Sequence, residues 1–323
     1  MRAKRLGLIF FKYALFLFLV LLISFFLPRL IPGSPLSTLA GDGSGYGNGV
    51  PLAALEQFEA YYSPTLPLPQ QFARYLSHLA RFDLGYSFFY KTPVAERIWG
   101  AARWTLLLSL SALALATVFG TLLGVLLGLW RRGRGALMLP PLLAVQAVPT
   151  FLLAAVAQML LAYRLRLFPA TGAVTPGLLP GQPGYAADVL AHMALPLIVL
   201  TLSEIPSIAI FAYNSTLRVK QAPYVAFARY LNIAPRQIKL RFVVKNIVPD
   251  LLGKLNIQAV LCIMGSMFVE AVFSYPGLGQ LLKNATSYRD YPLMQGILLV
   301  SCLYGIAVNL VFELLLSRHV RTS

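Results

Sequence analysis

The chain has 323 residues, of which 58% are hydrophobic and only 12% are Asp, Glu, Lys or Arg, about half the charged share of a soluble domain. So few charges exclude a water-facing surface over the whole chain. The net charge of +16 comes from Lys and Arg clustered between long apolar runs, a pattern that suits cytoplasmic membrane loops and not the polar fold of a nucleic-acid reader.

A helix crossing the hydrocarbon core needs about 20 apolar residues, because every backbone polar group there must be satisfied internally. Six windows meet this requirement: Ile9 to Ile31, Trp104 to Trp130, Ala136 to Tyr163, Met193 to Ser215, Leu255 to Tyr275 and Met294 to Ser317. The first follows Arg2, Lys4 and Arg5, as a secretory signal would. Its apolar run is longer than a signal core and ends in Pro28-Arg29-Leu30-Ile31-Pro32 without a small-x-small cleavage site, so it reads as a retained helix.

Residues 33–103 are too polar to span. They open on the glycine-rich tract Gly41 to Gly49 and then tighten into Gln70 to Ala80, where Phe72, Tyr75, Leu76 and Leu79 recur at helical spacing and predict a short amphipathic helix. In the second window Gly120, Gly124 and Gly128 share a face and invite close approach of another helix. Pro140, Pro141 and Pro149 in the third window and Pro196 and Pro206 in the fourth predict kinks or unwinding, and with them a pathway along those two helices. The second and third windows hold no charged residue, while Glu204, Glu270 and Glu313 lie one in each of the last three. A charge at mid-span costs about 2.5–3.5 kcal/mol, so these acids are expected to face the bundle interior or water. Glu204, Pro206, Asn214 and Glu270 are the candidate pathway residues.

The short connections before the first window, between the second and third and between the fourth and fifth are basic, as is the end of the chain; both termini are therefore expected in the cytoplasm. The longest internal connection is 218–254. Pro223 starts a helix through Tyr224 to Leu231, Asn232 suits a left-handed cap, Pro235 starts a second helix through Asn246, and Pro249 is expected to end it. The two cysteines, Cys262 and Cys302, sit in apolar stretches, and the three histidines, His78, His192 and His319, are far apart, so no metal-ligand cluster is visible.

The order Tyr224-Val225, Ala228-Arg229, a turn at 232, then Lys245-Asn246 and Pro249 resembles the cytoplasmic EAA loop of permease subunits of ABC importers, in the dipeptide, oligopeptide and nickel group. Leu30 to Pro35, Phe82 to Ser87, Val148 to Phe151, Leu167 to Gly172, His192 to Pro196, Glu270 to Gly279 and Arg289 to Gly296 are similar to further segments of that family, in its order. The loop departs from the family pattern in having Asn232 for Gly, Pro223 for an acid and Phe242 for His, with Pro249 one position early.

The resemblance implies an all-α membrane protein of the type I importer permease fold. Residues 1–32 would form the N-terminal span, 33–103 an external segment, and 104–323 a five-helix domain containing the coupling segment 218–254. It further implies a second permease subunit, two cytoplasmic ATPase subunits carrying ATP and Mg, and an external substrate-binding protein. The chain itself has no G-x-x-x-x-G-K-[ST] string, and no cofactor, catalytic residue or metal is expected in it. Tyr224, Val225, Phe227, Ala228, Arg229, Asn232, Pro235 and Arg236 are the residues expected to engage the ATPase, with Tyr224, Val225, Phe227 and Ala228 as the apolar anchor; the alternative for this segment is a basic loop held against anionic membrane lipid. The implied cargo is a di- or oligopeptide, with nickel or a metal chelate as the alternative. An ion-coupled carrier is a second alternative, served by the intramembrane acids. An intramembrane enzyme would need an HExxH or G-x-S-x-G string, and neither occurs.

Overall fold

The computed structural model describes residues 2–30, 61 and 65–319, with side chains except at 2–9, 27–30, 131–133 and 315–319. The glycine-rich tract 41–49 and the segment 31–35 lie outside the described residues. Helices α1 (Arg2–Leu30), α2 (Leu68–Ala80) and α3 (Val94–Leu129) come first, with a two-residue hairpin, β1 (Tyr86–Ser87) and β2 (Thr92–Pro93), before α3. Then follow α4 (Leu139–Ala147), α5 (Thr150–Ala157), α6 (Tyr185–Lys220), α7 (Pro223–Tyr230), α8 (Pro235–Gln237), α9 (Lys245–Phe273), α10 (Leu278–Ser287) and α11 (Tyr291–His319). Two π-helical stretches, Gln158–Arg164 and Ile238–Val244, continue α5 and join α8 to α9.

Among the described residues, four stretches are long and apolar enough to cross a membrane: Val94–Leu129, Tyr185–Lys220, Pro235–Phe273 and Tyr291–Leu314. A fifth is formed if the pair Arg134–Ala147 and Thr150–Arg164 counts as one broken span. In the first window the described side chains form a shorter apolar helix, Phe10–Phe26.

The chain divides into two compact units. The first comprises residues 1–103 and 280–307. In it α2 begins behind Pro67 and lays Phe72 and Tyr75 against Phe25 of α1, with ring centroids 5.1 and 5.8 Å apart. The Tyr75 hydroxyl donates to Ser24 Oγ at 3.1 Å, so this polar atom on the apolar face has a partner. Leu79 is half-buried on the same face, whereas Leu76 sits at its exposed edge.

The second unit, 104–279 and 308–323, holds most of the membrane-spanning helices. The three glycines of α3 are the places where α6 comes closest. A Cβ on Gly120 would stand 2.9 Å from Ile208 Cβ, one on Gly128 would stand 2.7 Å from Thr216 Cβ, and one on Gly124 would collide with the Ala209 carbonyl oxygen. Missing side chains thus let two backbones meet where no water is available to drive association, and packing does the work instead.

The prolines behave differently from one another, and two expectations need correcting. Pro140 and Pro141 fall in the first turn of α4, where the missing N–H would be unpaired in any case. Pro149 breaks the third window: Val148 is extended, at φ −75° and ψ 122°, because a residue before proline is driven out of the α region. The two halves meet at 85°. In contrast, Pro196 and Pro206 lie inside α6, which runs unbroken for 36 residues. Leu195, Val199, Leu200, Ile208 and Ala209 are buried on both sides of the two rings, and this packing keeps the stretch helical where unwinding was expected. Likewise Pro249 does not end the second loop helix. It lies inside α9, flanked by buried Ile247 and Leu251 that pack with Val125, Ala212 and Val219. A proline costs about 3 kcal/mol in an isolated helix, but here packing on both flanks overrides the local signal.

Gly124→Val should destabilise the purified protein in detergent by about 1–3 kcal/mol through overpacking at the α3–α6 crossing, read as a lower melting temperature. Valine at Gly100, where a Cβ meets nothing within 4 Å, should be close to neutral in the same thermal assay.

Candidate coupling and translocation sites

Sequence alone marks Glu204 as an isolated mid-span acid, and the fold supplies it with neighbours. The Glu204 carboxylate is buried and accepts from Gln258 Nε2 of α9. Gln258 Oε1 in turn accepts from the Ser207 hydroxyl at 3.2 Å, and Ser207 Oγ accepts from Lys254 Nζ at 2.8 Å. The four side chains form one polar row between α6 and α9, with a carboxylate at one end and an ammonium at the other. The geometry is simple: Glu204 and Ser207 are three apart on one helix, Lys254 and Gln258 four apart on the other, so each pair shares a face. Pro206 is buried beside the row, while Asn214 is exposed. Ser207, Lys254 and Gln258 were readable as polar residues at helical spacing, but only helix pairing shows that they meet.

Glu270 occupies a different setting. Its side chain is fully buried at the end of α9, where the chain turns through Ser274, left-handed at φ 50°. The carboxylate reaches back over this turn and accepts from the Gly279 N–H at 2.7 Å, while the Thr105 hydroxyl accepts from the Leu278 N–H at 2.8 Å. Gly277 lies so close to the Glu270 carboxylate that a Cβ would overlap it, which is why glycine stands there. The loop 167–172 docks on the same turn. Gly172 donates its N–H to the Phe273 carbonyl at 2.9 Å, and Gln158 Nε2 bridges the carbonyls of Ala170 and Val272 at 2.8 and 3.2 Å.

In the first unit, two segments 200 residues apart in sequence converge. The Ser87 hydroxyl donates to Asp290 Oδ2 at 2.5 Å, and the same carboxylate accepts from the N–H groups of Phe89 and Leu293 at 3.2 and 3.3 Å. Burial pushes the Asp290 carboxyl above its ordinary range, and these donors pull it back. Phe89 stacks on Tyr288 at 3.6 Å, and Asn284 donates to the Tyr90 hydroxyl at 2.9 Å.

The 218–254 segment presents two faces. Val225 and Ala228 of α7 point inward, at 0% and 2% exposure, and pack on Ile238 with Ala222, Ile233 and Phe242 around them. Tyr224 and Phe227 point outward together with Tyr230 and Leu231, at 43%, 63%, 84% and 59% exposure. The expected four-residue anchor is therefore split between an inner pair and an outer pair, because i, i+3 partners on a short helix share a face and i, i+1 neighbours do not. Tyr230 and Leu231 join the outer face although sequence reading passed over them; the spacing of 224, 227 and 231 carried that signal. Asn232 adopts φ 54°, Pro235 starts α8, and Arg229 and Arg236 are exposed. Among the described residues, no three His, Cys, Asp or Glu side chains come together in a metal-holding group.

Residues 120–322 match the family of binding-protein-dependent transport system inner membrane components, and the chain belongs to that family. It is 31% identical to the di/tripeptide transport system permease protein DppB of Pseudomonas aeruginosa, over 97% of this chain and 95% of that one. It is 28% identical to the glutathione transport system permease protein GsiC of Pectobacterium atrosepticum, over 93% and 92% of the two chains. A solved chain of the inward-facing MetNI methionine ABC transporter shares the fold, with a TM-score of 0.53 at 16% identity over 70% of this chain and 95% of that one. The protein is thus a multi-pass membrane permease that works with other components of an ABC transporter.

Gln258→Leu alone should destabilise the purified protein by about 1–3 kcal/mol, because it strands a buried carboxylate. The double variant Glu204→Leu with Gln258→Leu should recover much of that loss in the same thermal-denaturation assay. Asp290→Ala, which strands the Ser87 hydroxyl and two N–H groups, should cost a similar amount, read as faster proteolysis of the first unit.

Proposed function

We propose that this chain forms half of the translocation pathway of an ATP-driven peptide importer, with α7 as the lever that a separate cytoplasmic ATPase subunit moves. The observation that carries the reading is the two-faced packing of α7. Its inner face is pinned to Ile238 in a helical run that continues through α9 to Phe273, while its outer face leaves Tyr224, Phe227, Tyr230 and Leu231 uncovered. Exposed aromatic side chains on a short, anchored helix are suited to filling a pocket on a protein partner. Arg236 is exposed beside them and suits acidic groups at the rim of that pocket. A push on this helix would be delivered along α9 to Gln258 and Lys254, and so to the polar row around Glu204, which we assign to the pathway with Pro206.

The absence of a phosphate-cradling GK[ST] loop supports placing ATP and Mg on the partner. In this reading the chain makes six spans, counting α1 and the bent α4–α5 pair once each, with both termini in the cytoplasm and 218–254 on the ATPase side. Peptide cargo is supported by the relatives, which are permeases of glutathione and di/tripeptide transport systems. A second permease subunit and an external binding protein complete the assembly.

Phe227→Asp with Tyr230→Asp should leave the protein inserted and as thermally stable as the parent. Co-purification of the ATPase and peptide uptake should each fall at least about 30-fold, the loss of two central aromatic anchors. Full uptake by this variant would overturn the lever assignment. Ala228→Asp should behave differently and lower the stability of the permease itself, since it buries a charge against Ile238.

A further inference from the structure

Where the turn after α7 folds back toward the ends of α3 and α6, the second unit contains a cleft of about 400 Å³. Its wall is apolar, formed by Leu129, Ile238 and Val243 among others, and its cations are Lys220, Arg229 and Lys239, with no Asp or Glu among the lining residues. The surrounding segment is similarly one-sided: between 218 and 254 there are eight basic residues and a single acid, Asp250. That acid is already engaged by Arg218 at 2.6 Å. Lys220 Nζ donates to the Gly128 carbonyl at 3.1 Å and Arg229 donates to the Lys220 carbonyl at 3.5 Å, at the ends of α3 and α6. Each of these bonds uses one N–H of a group that has three or five, so both cations keep donors for a further acceptor.

We propose that this cleft binds an anionic glycerophospholipid, with the headgroup phosphate on Lys220, Arg229 and Lys239 and the first carbons of the acyl chains along Leu129, Ile238 and Val243. The combination of wall and cations selects this occupant. A free phosphate would use the cations and leave the apolar wall wet, and a zwitterionic lipid would bring a cation of its own beside the three already there. Basic pockets beside membrane helices on the anionic leaflet have the same chemistry. The proposal rests on the reading that 218–254 faces the cytoplasm, and its consequence is that the lever helix is tied to the bilayer surface through its own turn.

The test is lipid retention by the whole importer complex, reconstituted in nanodiscs of phosphatidylglycerol and phosphatidylcholine, extracted in mild detergent and weighed by native mass spectrometry. The parent should retain phosphatidylglycerol in preference to phosphatidylcholine. The double variant Lys220→Gln with Lys239→Gln should retain about 25-fold less, since each cation near an anionic surface is worth about fivefold. The double variant Lys220→Arg with Lys239→Arg should retain as much as the parent, which separates lost charge from lost folding. Equal retention by the glutamine variant, loss by the arginine variant, or displacement of the lipid by inorganic phosphate would each overturn the proposal. The readout needs neither transport nor ATP hydrolysis, so failure of the importer reading, seen as an absent ATPase partner, is separately visible.

Discussion

The contact on which the rest of this structure depends is the seat of a short amphipathic helix on a long one. Val225 and Ala228 of α7 press on Ile238, and Ile238 lies in a helical run that extends without a break to Phe273. A helix of eight residues has no stability of its own in water, because nucleation is costly and few ladder bonds form. It exists because prolines and left-handed Asn232 punctuate its ends and because two small apolar side chains seal its inner face. With that face sealed, nothing among the described residues covers the aromatic side chains of the outer face. The assignment of α7 as a lever starts from that division of labour.

A second constraint is the treatment of polarity inside the membrane-spanning helices. Glu204 and Lys254, far apart in sequence, close a hydrogen-bonded row through Ser207 and Gln258, so neither end is left uncompensated. Glu270 serves differently: it holds the turn after α9 by accepting the Gly279 N–H, with Gly277 clearing space for the carboxylate. The two acids look alike in sequence. Their neighbours make one part of an interhelical row, near the centre of α6, and the other a clamp at a helix end.

Several of the short segments that resemble the family lie in contact with one another. Leu167 to Gly172 binds the turn of Glu270 to Gly279 through Gly172 and Gln158, and Phe82 to Ser87 binds Arg289 to Gly296 through Ser87 and Asp290. What reads as a string of isolated motifs is a set of mated loops. Each pair supplies donors and acceptors that would otherwise be buried without partners, a cost of about 1–3 kcal/mol per group.

Much of this was legible from the residues alone. Apolar windows of membrane length, the glycine face of α3, the amphipathic stripe on Phe72 and Tyr75 and the left-handed turn at Asn232 all follow from local spacing and backbone sterics, which act over a few residues. Only the tertiary structure decided that Pro149 breaks its helix while Pro196, Pro206 and Pro249 do not, since that outcome turns on what packs beside each ring. It also decided which side chains of α7 face in, and that Gln258 and Lys254 answer Glu204. These are contacts between residues tens to hundreds of positions apart, and local sequence carries the chemical capacity for them but not the partner.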